Sequence, residues 1–163
     1  MKNVVVDSSS IILLQKTDLL ETLLSNYSII IADSVYRELT LAEKKGTADL
    51  VRLLAGRSVK PLRNQVISSS MDLGERDTIE LYREGYGDFV LIDDKKAAKY
   101  CKTLSIPFIN SLLVPRIFLA VGLLSADEYL QKFEELVNVG YYSEYIVVRA
   151  KDISDKRLRE FCP

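Results

Sequence analysis

The chain has 163 residues, 48% apolar and 28% charged, the proportions of a single globular domain large enough to bury about two thirds of its unfolded surface without staples. A formal net charge of -1 with a pI near 5.6 excludes the broad positive field that announces nucleic acid, and leaves only a local basic groove for that purpose. There is no histidine, which removes Ser-His-Asp and Cys-His catalysis and most zinc chemistry, so any enzymatic work falls to carboxylates.

The chain opens directly on a strand-like run, Val4-Val5-Val6, with no leader pattern, and the run ends in Asp7. Ser8-Ser9-Ser10 then starts a helix through Ile11 to Leu14, since hydroxyl side chains make good N-caps. A second helical stretch runs from Asp18 to Leu24, and Ser28 to Ile31 is the next strand, ended by Ala32-Asp33. The helix beginning near Ser34 carries Val35, Leu39 and Ala42 on its apolar stripe, with Glu38 inside that stripe; Asp33 reads as a cap. A third helix spans Thr47 to Ala55 and stops at Gly56. Lys60-Pro61 and Gln65-Val66-Ile67 predict an irregular link with one short strand, followed by a turn at Ser68-Ser69-Ser70.

The helix from about Leu73 to Glu84 stops at Gly85 and aligns Glu75, Ile79 and Tyr82 at i, i+4 and i+7, so a carboxylate again lies in the apolar stripe. The strand Phe89 to Ile92 follows and ends in Asp93-Asp94. Lys95 to Leu104 is helical, Pro107-Phe108-Ile109 is a last short strand, and Asn110-Ser111 leads into helix. Leu112 to Leu124, the longest apolar stretch, contains Pro115 and Arg116 and is too short to span a bilayer. Ser125 to Val137 is amphipathic, and the tail has the composition of a strand at Tyr145-Ile146-Val147-Val148. Cys101 and Cys162 match no metal-ligand spacing and read as thiols of a reducing cytosol, so the expected location is cytoplasmic.

Short apolar runs alternating with helices predict an α/β fold whose mostly parallel sheet is covered on both faces. In such sheets the site lies at the carboxyl ends of the strands, where Asp7 and Asp93-Asp94 fall by construction, with Glu38 and Glu75 near the starts of helices that close on it. Acids brought that close repel by roughly 4 kcal/mol per pair at an intermediate dielectric. Magnesium or manganese offsets the repulsion with hard-oxygen coordination and supports phosphodiester hydrolysis without histidine. Each acid also has a structural role open to it. Asp7, Asp93 or Asp94 can be N-caps, Asp72 and Glu75 have capping-box spacing, and Glu38 can point to water. Lys95, Lys96 and Lys99 suit phosphates or a solvated face, Arg76 and Arg83 suit steering or surface ion pairs, and Tyr141, Tyr142 and Tyr145 suit base stacking or packing.

The ordered set of strand-Asp7-Ser8-Ser9-Ser10, Val35-Tyr36-Arg37-Glu38-Leu39, Gly74-Glu75 and Leu91-Ile92-Asp93-Asp94-Lys95 resembles a PIN domain of the VapC-like nuclease superfamily, and most resembles an uncharacterised prokaryotic branch of it. The likeness covers roughly Val4 to Leu124 and extends into the amphipathic helix from Ser125. It implies a Rossmann-like, three-layer PIN fold over 1–163, with 125–163 as a helical and strand extension. It also implies Mg2+ or Mn2+ on Asp7, Glu38, Glu75 and Asp93, with Asp94 as neighbour or substitute. Ser8, Ser9 and Lys95 are the candidate substrate contacts. The implied activity is cleavage of single-stranded RNA to a 5'-phosphate product, in the manner of the toxin of a toxin and antitoxin pair; the implied assembly is a homodimer off the membrane. The alternative it allows is a catalytically silent PIN-like module that binds RNA or a protein. Two positions depart from the family pattern: Ile109-Asn110-Ser111 stands where Gly or Thr often follows the last strand, and Ser9 where the toxins commonly have Asn.

Overall fold

The computed structural model describes residues 1–41, 47–55, 58–60 and 71–163. In chain order the elements are β1 (Asn3–Val6), α1 (Ser8–Lys16), α2 (Leu20–Asn26), β2 (Ser28–Ala32), α3 (Asp33–Leu41), α4 (Thr47–Leu54), β3 (Ser58–Lys60), α5 (Leu73–Arg83), β4 (Phe89–Leu91), α6 (Lys95–Thr103) and β5 (Phe108–Ile109). A 3-10 turn (Ser111–Leu113), α7 (Val114–Ala120), α8 (Ala126–Gly140), α9 (Glu144–Asp152), α10 (Asp155–Leu158) and a closing 3-10 turn (Arg159–Phe161) complete the chain. The expected strand near Gln65-Val66-Ile67 and the Ser68-Ser69-Ser70 turn lie outside the described residues, as do Ala42 and Gly56.

The five strands form one parallel sheet in the order β3-β2-β1-β4-β5. Its central strand is β1, with Val5 opposite Ile30 on one side and Val90 on the other. Val4, Val5 and Val6 are all fully buried, as expected of a parallel strand with helices on both faces. Alternation along β4 divides the packing. Val90 and Ile92 join Ile79 of α5 with Ala97 and Cys101 of α6, whereas Phe89 and Leu91 belong to the larger cluster with Ile11, Leu14, Ile117 and Phe118. The result is the three-layer α/β architecture expected from the alternating runs.

The first part of the Leu112 to Leu124 run supplies core: Leu112, Val114, Ile117 and Phe118 are buried, while its end exposes Val121 and Leu123. No helix among the described residues is long and apolar enough to cross a membrane.

The tail corrects one expectation, because Tyr145 to Val148 lies within helix α9. A four-residue apolar run does not by itself distinguish strand from helix. Here Ile146, Val147, Ala150 and Ile153 turn inward while Tyr145, Val148 and Arg149 stay exposed, which is the spacing of one helical face. After α9 the chain docks at the amino ends of the strands. The Tyr27 hydroxyl donates to the Phe161 carbonyl at 2.7 Å, and Phe89 stands edge-on to both Tyr27 and Phe161.

Candidate functional site

Asp7 follows β1 directly, held to β4 by its N–H donating to the Leu91 carbonyl at 3.2 Å. It is also the N-cap of α1, since its Oδ1 accepts from the Ser10 N–H at 2.8 Å, and its Oδ2 accepts from the Ser9 hydroxyl at 2.7 Å. The side chain is therefore placed twice, by the strand end and by the helix start. Its burial is nearly complete, and this loss of water is the main force raising its pKa from 3.8 to about 7; the neighbouring Asp93 carboxylate pushes the same way, while the Ser10 and Ser9 donors oppose.

Asp93 comes from the end of β4. Its Oδ2 accepts from the Ser10 hydroxyl at 2.7 Å and from the Ser111 hydroxyl, and the Ser111 N–H approaches Oδ1 at 3.1 Å. The Tyr142 hydroxyl donates to Oδ1. Ser10, fully buried, thus gives its N–H to one acid and its hydroxyl to the other, tying the two carboxylates together across the ends of adjacent strands.

The remaining acids are placed by other contacts. Asp94 caps α6, its Oδ1 accepting from the Lys96 and Ala97 N–H groups at 2.7 and 2.9 Å. Asp93 and Asp94 therefore separate by role: one turns to Asp7, the other to its own helix. Glu75 is half-buried, and its carboxyl is pushed up first by desolvation and then by Asp94; the Asp72 N–H and Lys96 pull the other way, with the Asp72 charge adding to the rise. The nearby Asp72 N–H is one half of a capping box; Asp72 makes no side-chain cap bond in return.

Glu38 is exposed, with Oε2 only 3.3 Å from where a Cβ on Gly74 would stand. Gly74 thereby lets α5 begin against α3 and the Glu38 carboxylate, which gives the Gly-Glu pair a packing reason. Among the described residues, no three Asp, Glu or Cys side chains come together as a metal-ligand group.

Of the expected substrate contacts, Ser9 is committed to Asp7, Ser8 is the first residue of α1 and Lys95 the exposed first residue of α6. Asp33 lies inside α3 and pairs with Arg37 at 2.9 Å. Arg76 and Arg83 are engaged in ion pairs with Asp77 and Glu80 on their own helix.

Three contributors escape a reading by motif: Ser10, Ser111 and Tyr142. Tyr142 is the most distant in sequence, and burial followed by the Asp93 charge raises its pKa, so it remains a donor. Its ring lies against Gly140, where an added Cβ would fall 2.2 Å from Tyr142 Cε2. A helix usually ends with glycine in the left-handed position. Here that position is held by Tyr141 at φ 52°, and the glycine stands one residue earlier because the Tyr142 ring needs the space. The Gly140-Tyr141-Tyr142 string was the available signal, and its order is explained only by the fold.

The donor set fits a hard divalent ion. Two carboxylates on one sheet edge, one of them buried and costly to charge, provide oxygen ligands of the number magnesium commonly takes from protein, with water and substrate phosphate supplying the rest. The donors behind Asp93 resemble the outer hydrogen bonds that orient metal ligands.

No curated protein and no solved structure matches the chain. A family model described as a PIN domain matches residues 3–151, nearly the whole length. PIN domains are commonly nucleases that use divalent metals. The parallel sheet, the acid pair at its carboxyl edge and this match lead to one conclusion: the chain belongs to the PIN-domain family.

Proposed function

We propose that this protein is a magnesium- or manganese-dependent ribonuclease that hydrolyses phosphodiesters of single-stranded RNA and leaves a 5'-phosphate. The observation that supports this most is the buried Ser10 bridge, which holds Asp7 and Asp93 together at the carboxyl edge of the sheet despite their mutual repulsion. Asp7 and Asp93 would hold the ion, with Glu75, Asp94 and Glu38 as the surrounding acids. A divalent ion there supplies charge neutralisation on phosphoryl oxygens and a water of lowered pKa.

The chain's own residues do the remaining work. Ser9 and the Ser10 N–H fix the Asp7 carboxylate, while Ser10, Ser111 and Tyr142 fix Asp93, so neither acid has to reorient when substrate arrives. Lys95 and Lys96, at the start of α6, lie close in sequence to the acids and supply positive charge for a phosphate. A manganese-stimulated assay on single-stranded RNA tests the reading: wild type should cut and Asp7→Asn should not, and equal activity in the two would refute it.

A second reading, a silent PIN-like module that binds RNA or protein, draws support from the two satisfied carboxylates and from the lack of a three-acid group among the described residues. Calorimetric titration with manganese separates the two, because the silent module binds the ion weakly or not at all. A toxin role with an antitoxin partner and a homodimer belong to the first reading; sedimentation showing only monomer at micromolar protein would remove the dimer.

A further inference from the structure

A groove of about 560 Å3 lies between edge strand β5 and helix α9. It runs along β5 from Asn110, the residue before the Asp93 donor Ser111, and Tyr145, three residues after Tyr142, to Lys102 and Phe161. Two of the residues that hold Asp93 thus have near neighbours in its wall.

The lining has an unusual balance for a chain of net charge -1. Lys102, Arg149 and Arg157 are set against one acid, Asp152, among the described lining residues. Arg149 is already organised: its guanidinium lies 5.7 Å from the Tyr145 ring centroid and donates to the Tyr145 hydroxyl at 3.1 Å. Tyr145 itself is 63% exposed, so ring surface is open to a planar partner.

We infer that this groove is a nucleotide subsite that seats one residue of single-stranded RNA along edge strand β5. The inference rests on the ribonuclease reading and deepens it. Three cations exclude a metal ion and call for an anion. An open aromatic ring beside them calls for a π-face. A ribonucleotide has both, as phosphate and base. An acidic peptide supplies charge but leaves the Tyr145 ring unused.

The test is fluorescence anisotropy with a labelled single-stranded RNA octamer in EDTA, so that binding is read without cleavage, together with the manganese-stimulated assay. The variants are Arg149→Ala with Arg157→Ala, Tyr145→Ala and Tyr145→Phe, all at exposed positions, with circular dichroism to check the fold. The double arginine variant should weaken binding, and the salt dependence of log affinity should become shallower by about 0.7 for each phosphate contact removed. Tyr145→Ala should weaken binding roughly tenfold, and Tyr145→Phe should restore it. Binding and salt slopes equal to wild type in every variant would overturn the subsite, and a groove used by a protein partner would give that result. Wild type that cuts while the groove variants bind and cut normally ends the subsite and leaves the ribonuclease. Wild type that binds through the groove without cutting ends the ribonuclease and leaves the subsite. Wild type that neither binds nor cuts ends both.

Discussion

The two ends of the sheet solve opposite problems with the same strands. At the amino end, Phe89 starts β4 between Tyr27 and Phe161, ring centroids 6.0 and 5.1 Å away, and the Tyr27 hydroxyl is bonded to the Phe161 carbonyl. Each edge-on aromatic pair adds about 0.5–1.5 kcal/mol beyond its buried area, and the buried polar group there is satisfied. At the carboxyl end, Asp93 is packed close enough to Asp7 to oppose its ionisation, and Ser9, Ser10, Ser111 and Tyr142 hold the two in place. One end supplies stability and the other is held under electrostatic load. That division is expected where a site must bind a cation, because the repulsion relieved on binding adds to affinity.

The largest effect should come from Asp7→Asn. Asparagine keeps the cap to the Ser10 N–H and a partner for Ser9, yet removes a ligand charge, so manganese-stimulated cleavage should fall roughly a thousandfold. Stability should move the other way. Folding raises the Asp7 pKa from 3.8 to about 7, so between those values the folded state holds a proton that the unfolded state has released. Metal-free wild type should therefore lose stability as pH rises from about 4 to about 7, on the order of 4 kcal/mol, and remain at the lower level above that window. Thermal unfolding in EDTA should show Asp7→Asn melting several degrees above wild type at pH 8 and level with it at pH 4. Manganese should raise wild type at pH 8 and close the gap.

At the opposite end, Phe161→Ala should cost about 3–4 kcal/mol and lower the melting temperature by roughly 10 °C, with the manganese affinity measured at 20 °C unchanged. Equal loss of metal affinity there would dissolve the contrast between the two ends. Tyr142→Phe comes next. It removes one hydroxyl from Asp93 while keeping the ring against Gly140, so calorimetry should show manganese binding about tenfold weaker, within the range for outer partners of metal ligands, and little change in melting. Unchanged affinity would reduce Tyr142 to packing. The smallest effect belongs to Tyr141→Gly, which relieves a left-handed tyrosine that is 95% exposed and should stabilise by about 1 kcal/mol without affecting cleavage.

Much of this was legible because it is local. A valine run ending in aspartate, then three serines, specifies a buried strand, a turn and a capped helix within ten residues, and Asp7 is fixed by that succession alone. Asp93 and Asp94 could not be distinguished by spacing, since adjacent acids at a strand end have equal access to a helix start. The bonds from Ser10, Ser111 and Tyr142 select Asp93 for the pair, while the Lys96 and Ala97 N–H groups retain Asp94. Glu75 looked misplaced in an apolar stripe, yet its carboxylate lies beside Asp94 and its own helix start.

By itself, then, the sequence determined the parallel sheet, the edge on which the acids collect and the family, because hydrophobic period and cap chemistry act over a few residues. Only the tertiary structure decided which acids meet, that the tail is helical, and that Tyr142 reaches the site. Those contacts join residues dozens of positions apart, and their energies come from burial and mutual charge, which no local pattern encodes.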